Sequence, residues 1–263
     1  CAGIQLSQAA RNFLKANYED CLCRKCLLEI NKLFLLCIVI FFAIACSKQP
    51  QISQPRPGNH YATGFELVEE GDICTAIVYS PWEEGVVMCR YVIAKPYEKL
   101  AITSCTHAGF LNELGETDRI VGVCNPELVY TPLKYAQNIG DAMSPNVEKI
   151  IATNAQAIIV STYAQDNATN KQLQKLNIPV IYNNEWTEKS PLARAEWIRF
   201  MGALVGKKAL ADSIFSDIEK TYLALCPIGQ KHAGEKEIMS GQSFRGTWYV
   251  PGGNSFMGIL FQD

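Results

Sequence analysis

The stretch Ala157-Ile158-Ile159-Val160-Ser161-Thr162, followed by a helical pattern over Asn170–Leu176 and then by Pro179-Val180-Ile181-Tyr182, decides the fold class. Its apolar runs are brief and continuous rather than alternating, as strands buried on both faces are. Runs of the same kind occur upstream at Leu100–Thr103 and Ile120–Val123, with helical patterns over His107–Leu114 and Pro145–Ala152. Strand and helix in alternation predict an α/β fold with a parallel sheet and helices on its faces. Two further β-like runs, Cys74–Tyr79 and Val86–Ala94, read as a hairpin around Ser80-Pro81-Trp82-Glu83-Glu84-Gly85.

Helix punctuation extends the pattern. Ser144-Pro145 and Ser190-Pro191 each place a capping hydroxyl before a proline at a first helical position. The second opens a long helical stretch with Leu192, Trp197, Ile198, Met201, Leu204 and Val205 on one face. Gly206 interrupts it, and helicity resumes through Leu210, Ile214, Phe215, Ile218, Tyr222 and Leu225, a stiff segment suited to joining two lobes. A polar connector over Pro227–Lys236 then leads to a new apolar strand and a glycine-rich turn within Ile238–Gly253.

Towards the start of the chain, Arg24, Lys25 and Lys32 precede the apolar run Leu33–Ala45, which ends in Ala43-Ile44-Ala45 before Cys46. This is the pattern of a lipoprotein export signal, cut before Cys46, whose sulfur takes the lipid. The run is shorter than the roughly 20 apolar residues that span a bilayer. Gln49–Asn59, with three prolines, reads as an extended tether. The expected organisation is a leader and signal peptide (1–45), a lipidated cysteine and tether (46–60), an N-terminal α/β lobe with its leading hairpin (61–187), an interlobe helical segment (188–226) and an incomplete second lobe (227–263). Both ends read as those of a fragment.

A net charge of −2 with scattered Lys and Arg offers no basic stripe for nucleic acid. Cys21, Cys23 and Cys26 supply too few neighbouring ligands for a closed zinc site. Past Cys46 the chain keeps Cys74, Cys89, Cys105, Cys124 and Cys226. A Cys74–Cys89 disulfide across the hairpin and five buried thiols stand as alternatives.

In an open parallel sheet, ligands sit beyond the carboxyl ends of the strands. The residues leaving those ends are Ser104-Cys105-Thr106-His107, Cys124-Asn125-Pro126, Ser161-Thr162-Tyr163 and Asn183-Asn184-Glu185-Trp186. They include no phosphate loop, so no nucleotide site is indicated. The segment Arg119–Leu225 resembles the substrate-binding lipoproteins of ABC importers for iron-siderophore complexes, haem and cobalamin. The matching features are Arg119-Ile-Val-Gly-Val123, Asn138-Ile-Gly140, Asn146-Val-Glu148-Lys-Ile150, Ala157-Ile-Ile-Val160, Leu176-Asn-Ile-Pro-Val180 and Gly202-Ala-Leu-Val-Gly206. Trp248-Tyr249 with Pro251-Gly-Gly-Asn-Ser255 looks like the first cleft loop of the second lobe.

The resemblance implies two parallel-sheet lobes joined by a long helix, the second truncated here, with the ligand held in the cleft between them. It implies a periplasmic, lipid-anchored, monomeric receptor with no catalytic residues and no cofactor. Its ligand would be a ferric siderophore, haem or cobalamin, and its partners an ABC permease with ATPase subunits. Thr106, His107, Trp186, Trp248 and Tyr249 are the candidate ligand-binding residues, and the aromatic side chains have core or surface packing as the alternative. His107 has two readings, an axial ligand to iron or cobalt and a hydrogen bond near a helix cap. Glu148 matches the family's permease-docking glutamate, and it also suits a first helical turn. His60, His107 and His232 are dispersed along the chain, so no bare-metal site is expected. The competing classes are an exported α/β hydrolase, for which Ser161, Ser240 and Ser243 lack a Gly-x-Ser-x-Gly elbow, and a surface adhesion or assembly lipoprotein.

Overall fold

The computed structural model describes residues 54–71, 73–162, 168–232 and 240–263. The expected signal peptide, Cys46, the early cysteines, Tyr163 and Ile238 lie outside them. None of the described helices is long and apolar enough to cross a membrane.

Strands β1 (Phe65–Glu70), β2 (Ile73–Tyr79) and β3 (Val87–Ile93) form an antiparallel meander. The expected hairpin is therefore its second half, and β1 is an added strand. Cys74 pairs with Ile93 while Cys89 pairs with Val78. That register separates the two cysteines by four positions, about 13 Å, too far for the expected disulfide alternative. Both thiols are free and burial raises both pKa values, but the alternative of five buried thiols fails too, because Cys105 is exposed and Cys89 and Cys226 are only partly buried.

Strands β4 (Leu100–Ile102), β5 (Ile120–Val123) and β6 (Gln137–Asn138) lie on one side of a parallel sheet. The short strands β7 (Gly140–Asp141) and β8 (Ser144–Pro145) pair with each other. Strands β9 (Ala157–Val160) and β10 (Val180–Tyr182) complete the main sheet in the order β10-β9-β4-β5-β6. All four residues of β9 are buried, which explains its unbroken apolar run. The Tyr91 hydroxyl donates to the Val180 carbonyl at 3.0 Å and accepts from Tyr182 N–H at 3.0 Å. The meander thus covers polar groups on the otherwise open edge strand β10.

Helices α1 (Cys105–Glu113), α2 (Val147–Ala152) and α3 (Ala168–Lys175) follow the expected patterns with shifted ends. The Ser144-Pro145 cap is corrected: those residues form β8, and Asn146 caps α2 by accepting from Lys149 N–H at 2.9 Å. The competing Asn, closer to the apolar turn, supplies the side-chain acceptor that the helix start requires. At the other site, Ser190 does cap α4 (Pro191–Val205), whose first residue is proline.

Gly206 ends α4 with φ 72°, the left-handed conformation that suits glycine. The next helix, α5 (Lys208–Lys231), crosses α4 closely, with a Cβ at Gly202 falling 2.5 Å from the Ala211 Cβ. It runs about 36 Å and contains Pro227, so the expected connector at 227–236 begins instead after Lys231. In an exposed turn the proline removes one donor without ending the helix. The hairpin β11 (Gln242–Phe244) and β12 (Thr247–Tyr249) precedes α6 (Phe256–Gln262).

The expected tether is also corrected over its last residues. Arg56 stacks on the Tyr79 ring at 3.7 Å, and Arg199 donates to the Gly58 carbonyl at 2.8 Å. The Glu196 carboxylate accepts from the backbone N–H groups of His60, Tyr61 and Ala62 at 2.7, 2.8 and 2.7 Å. Glu188 accepts from the N–H groups of Thr63 and Gly64 and from the indole N–H of Trp197 at 2.9, 2.8 and 3.1 Å. Buried carboxylates on one side and unpaired backbone donors on the other satisfy each other, so the chain is docked from Arg56 onward.

Candidate ligand-binding site

The strand order reverses at β4. The chain moves from β4 to β5 on one side and later returns to β9 on the other. In an open parallel sheet this reversal makes the carboxyl ends of β4 and β9 the expected place for a ligand. Those ends deliver Thr103, Ser104, Thr106 and His107 from β4, and Ser161 and Thr162 from β9. The neighbouring β10 adds Asn183, Asn184, Glu185 and Trp186.

Hydrogen bonds join these residues in three neighbouring sets, Ser104–Thr106–Glu185–Asn183, Thr162–Asn184 and Thr103–Ser161–His107. Ser104 caps α1, its hydroxyl accepting from Thr106 N–H at 3.2 Å. Thr106 Oγ1 donates to Glu185 Oε1 at 2.7 Å. Glu185 N–H donates to Asn183 Oδ1 at 3.2 Å, and Thr162 N–H donates to Asn184 Oδ1 at 3.2 Å. Ser161 N–H reaches Thr103 Oγ1 at 3.4 Å, and Ser161 Oγ lies 3.4 Å from His107 Nε2.

The group is incompletely satisfied. Among the described residues, the buried side-chain polar atoms without a hydrogen-bond partner are His107 Nδ1, Thr162 Oγ1, Asn183 Nδ2, Asn184 Nδ2 and Glu185 Oε2. Every one belongs to this group. An unsatisfied buried donor or acceptor costs about 1–3 kcal/mol, so their concentration at one place makes these strand ends the candidate site.

Electrostatics follow from the same burial. His107 is fully buried, which lowers its pKa to about 3 against a smaller opposing effect of the Ile159 backbone. The imidazole is neutral across the physiological range. Burial raises the Glu185 carboxyl above the usual carboxylate range, opposed by hydrogen bonds from Thr106 and from its own and Trp186 backbone, and by the charge of Arg194. Arg194 itself donates to the carbonyls of Glu188 and Trp186 at 3.1 and 2.7 Å. Among the described residues no cluster of three His, Cys, Asp or Glu side chains is placed to hold a metal ion.

Of the residues singled out from sequence, Thr106 and His107 belong to this group, and Trp186 follows it directly, 40% exposed. His107 stands in the core beneath these strand ends, since α1 turns its face inward with Ala108 and Leu111. Trp248 and Tyr249 sit apart on the β11–β12 hairpin, both about half exposed. Glu148 is exposed in the first turn of α2. Sequence reading passed over Asn183, Asn184 and Glu185 in favour of the adjacent tryptophan, although their position at a strand end was the available signal. It also passed over the loop after β5, which exposes Tyr130 completely and Tyr135 by half. That loop is shaped by Asn125 at φ 45°, whose Oδ1 accepts from Ala142 N–H at 2.8 Å.

The arrangement of strands agrees with comparisons to known proteins. A periplasmic binding protein from Veillonella parvula is similar over 73% of this chain and 64% of its own, with 11% identity and a TM-score of 0.54. A possible iron-binding, periplasmic solute-binding protein from Staphylococcus epidermidis is similar over 64% of this chain and 66% of its own, with 20% identity and a TM-score of 0.50. In sequence, an uncharacterized lipoprotein of Methanocaldococcus jannaschii is 27% identical over 120 residues, 46% of this chain and 29% of that protein. The chain thus spans less than a third of that relative and under two thirds of either solved structure. The parallel sheet that begins at Leu100 is where a family-level match also begins: residues 100–263 fit the model described as periplasmic binding protein, and the chain belongs to that family.

Proposed function

We propose that the chain is the solute receptor of an ABC importer, capturing a metal chelate (a ferric siderophore, haem or cobalamin) at the carboxyl ends of β4, β9 and β10 and presenting it to a permease. The observation that carries this reading is the coincidence of the strand-order reversal with the group of unsatisfied polar side chains around Glu185. Thr106 and Trp186 contribute at the rim, and Trp248 and Tyr249 contribute aromatic surface from the C-terminal hairpin. His107 acts from beneath through Ser161 rather than as an axial metal ligand, because its ring is fully buried. In this reading Cys46 carries the lipid that holds the receptor at the membrane in the periplasm, and exposed Glu148 docks on the permease. The similar protein of S. epidermidis is described as possibly iron-binding, which supports a chelated metal as cargo.

The hydrolase alternative has one geometric point in its favour, the Ser161–His107 contact of 3.4 Å. A pKa near 3 makes that imidazole a poor general base at neutral pH. Its Nδ1 also lacks the carboxylate that orients such a base.

A thermal-shift panel with cyanocobalamin, haemin and ferric siderophores tests the proposal. A ligand at a hundredfold excess over its Kd adds about 2.7 kcal/mol of stability, so one member of the panel raises Tm by several degrees. A folded protein whose Tm responds to none of them overturns the reading.

A further inference from the structure

The β1–β3 meander departs from the usual alternation of an antiparallel sheet, which packs one face on the core and shows polar residues to water on the other. Its inner face sends Ala76, Val78 and Ile93 into the core, and Tyr91 on that face reaches β10. The register puts Val68, Thr75 and Val92 in one row of the opposite face, Ile77 and Arg90 in the next, and Ile73 at its end. Ile73 is 45% exposed and Val92 66%. The loop from β2 to β3 adds exposed Val86 and Trp82, and the backbone N–H groups of Trp82 and Glu83 both donate to the Ser80 hydroxyl at 3.2 Å. The outer face therefore shows apolar side chains where water alone would favour polar ones.

The chain that follows Cys46 enters the fold at this face. The Tyr79 hydroxyl donates to Glu66 Oε2 at 2.7 Å, and Arg56 stacks on the Tyr79 ring at 3.7 Å, which places Arg56 on the outer side. Ten residue steps separate Arg56 from Cys46, and a chain of that length reaches at most about 36 Å. A lipid on Cys46 holds Arg56, and with it this face, within that distance of a bilayer. Tryptophan and β-branched side chains suit the boundary between headgroups and acyl chains, and Arg56 and Arg90 suit the headgroup phosphate. Glu70, Glu83 and Glu84 border the same face, so it fits a zwitterionic surface better than an anionic one.

Resting on the reading of Cys46 as the lipidated residue, we infer that the outer face of the meander, with Trp82 at its tip, is a contact surface for the headgroup layer of a zwitterionic bilayer. The lipid supplies the attachment, and the face supplies the orientation. Because the inner face packs towards the main sheet, the side of the receptor turned to the bilayer is the side away from that sheet.

The test uses the full chain, lipidated in cells and reconstituted into phosphatidylcholine vesicles whose acyl chains carry bromine, a quencher of nearby tryptophan emission. Trp82 supplies most of the quenched emission, because Trp186 and Trp248 lie off this sheet and Trp197 is buried. Trp82→Phe therefore removes most of it. Val92→Asp puts a carboxylate on the face and lowers the Trp82 share severalfold, since the charge resists desolvation; Ile73→Asp serves where Val92→Asp does not fold. A lipidated chain with the same quenching in parent and Trp82→Phe, or with quenching that neither folded carboxylate variant changes, overturns the inference and leaves Cys46 as the anchor. Dimerisation of the lipidated chain in detergent that Val92→Asp abolishes gives the face to a second copy and overturns it as well. A mass that shows no lipid on Cys46 overturns the anchor reading and this inference together, and the thermal-shift result with chelates is independent of all three.

Discussion

Burial holds the His107 imidazole at a pKa of about 3, whereas in the unfolded chain it titrates near 6.5. Between those values the unfolded state binds the additional proton, so this residue's contribution to stability is complete above about pH 6.5 and falls as acid is added. Glu185 and Glu188 act with the opposite sign. Burial raises both carboxyls, so the folded state holds their protons more tightly and their cost to stability appears as pH rises through the carboxylate range. Replacing His107 with Leu isolates the first effect: the difference in stability between parent and variant, measured by urea unfolding from pH 7 to pH 4, shrinks steadily as pH falls. A constant difference contradicts a buried neutral histidine. Glu185→Gln removes a carboxylate that burial disfavours and keeps an acceptor for Thr106, so it raises Tm in the free protein at pH 7. A substantial drop in Tm identifies Glu185 as a structural carboxylate instead.

At the scale of elements, two contacts organise the helices and the chain segment before β1. Gly202 lets α4 and α5 meet, and a methyl group there falls 2.5 Å from Ala211 Cβ and 3.1 Å from the Lys207 carbonyl oxygen. Gly202→Ala therefore destabilises by about 1–3 kcal/mol, readable as a lower urea midpoint with an unchanged slope. The Glu196 carboxylate is fully buried and serves the backbone from His60 to Ala62. Glu196→Ala leaves those donors unpaired and costs about 3 kcal/mol or more. Hydrogen exchange distinguishes this from general weakening, because the amides of 60–62 lose protection before those of β9. The sequence revealed most elements here through local chemistry: Ser190-Pro191 specified the start of α4, and Gly206 its end. Ser144-Pro145 carried the same local signal and was overridden, because its backbone pairs with Gly140-Asp141 and the neighbouring Asn146 supplies the cap.

For the molecule as a whole, the receptor reading separates ligand capture from delivery. Glu148 is exposed on α2 and has no part in the hydrogen bonds around Glu185 that the strand ends make. Glu148→Lys leaves chelate affinity unchanged and abolishes uptake in cells that depend on this receptor. Loss of both together assigns Glu148 to the ligand site, and loss of neither removes it from docking. The class of fold, the parallel sheet and its buried strands were legible in the amino-acid order, because solvent exclusion on both faces of a strand writes itself as an uninterrupted apolar run such as Ala157–Val160. The polar character of the strand ends was equally legible. Only the tertiary structure decided that β9 and β10 return to the opposite side of β4 from β5, that Cys74 and Cys89 fall out of register, and that residues 56–64 dock against Glu188 and Glu196. It also decided that His107 is fully buried and that Glu185, beside the exposed Trp186, is a buried carboxyl at the strand ends. Those outcomes depend on strand order, register and packing between residues far apart in the chain, whereas helix caps and hydrophobic runs depend on neighbours a few residues away.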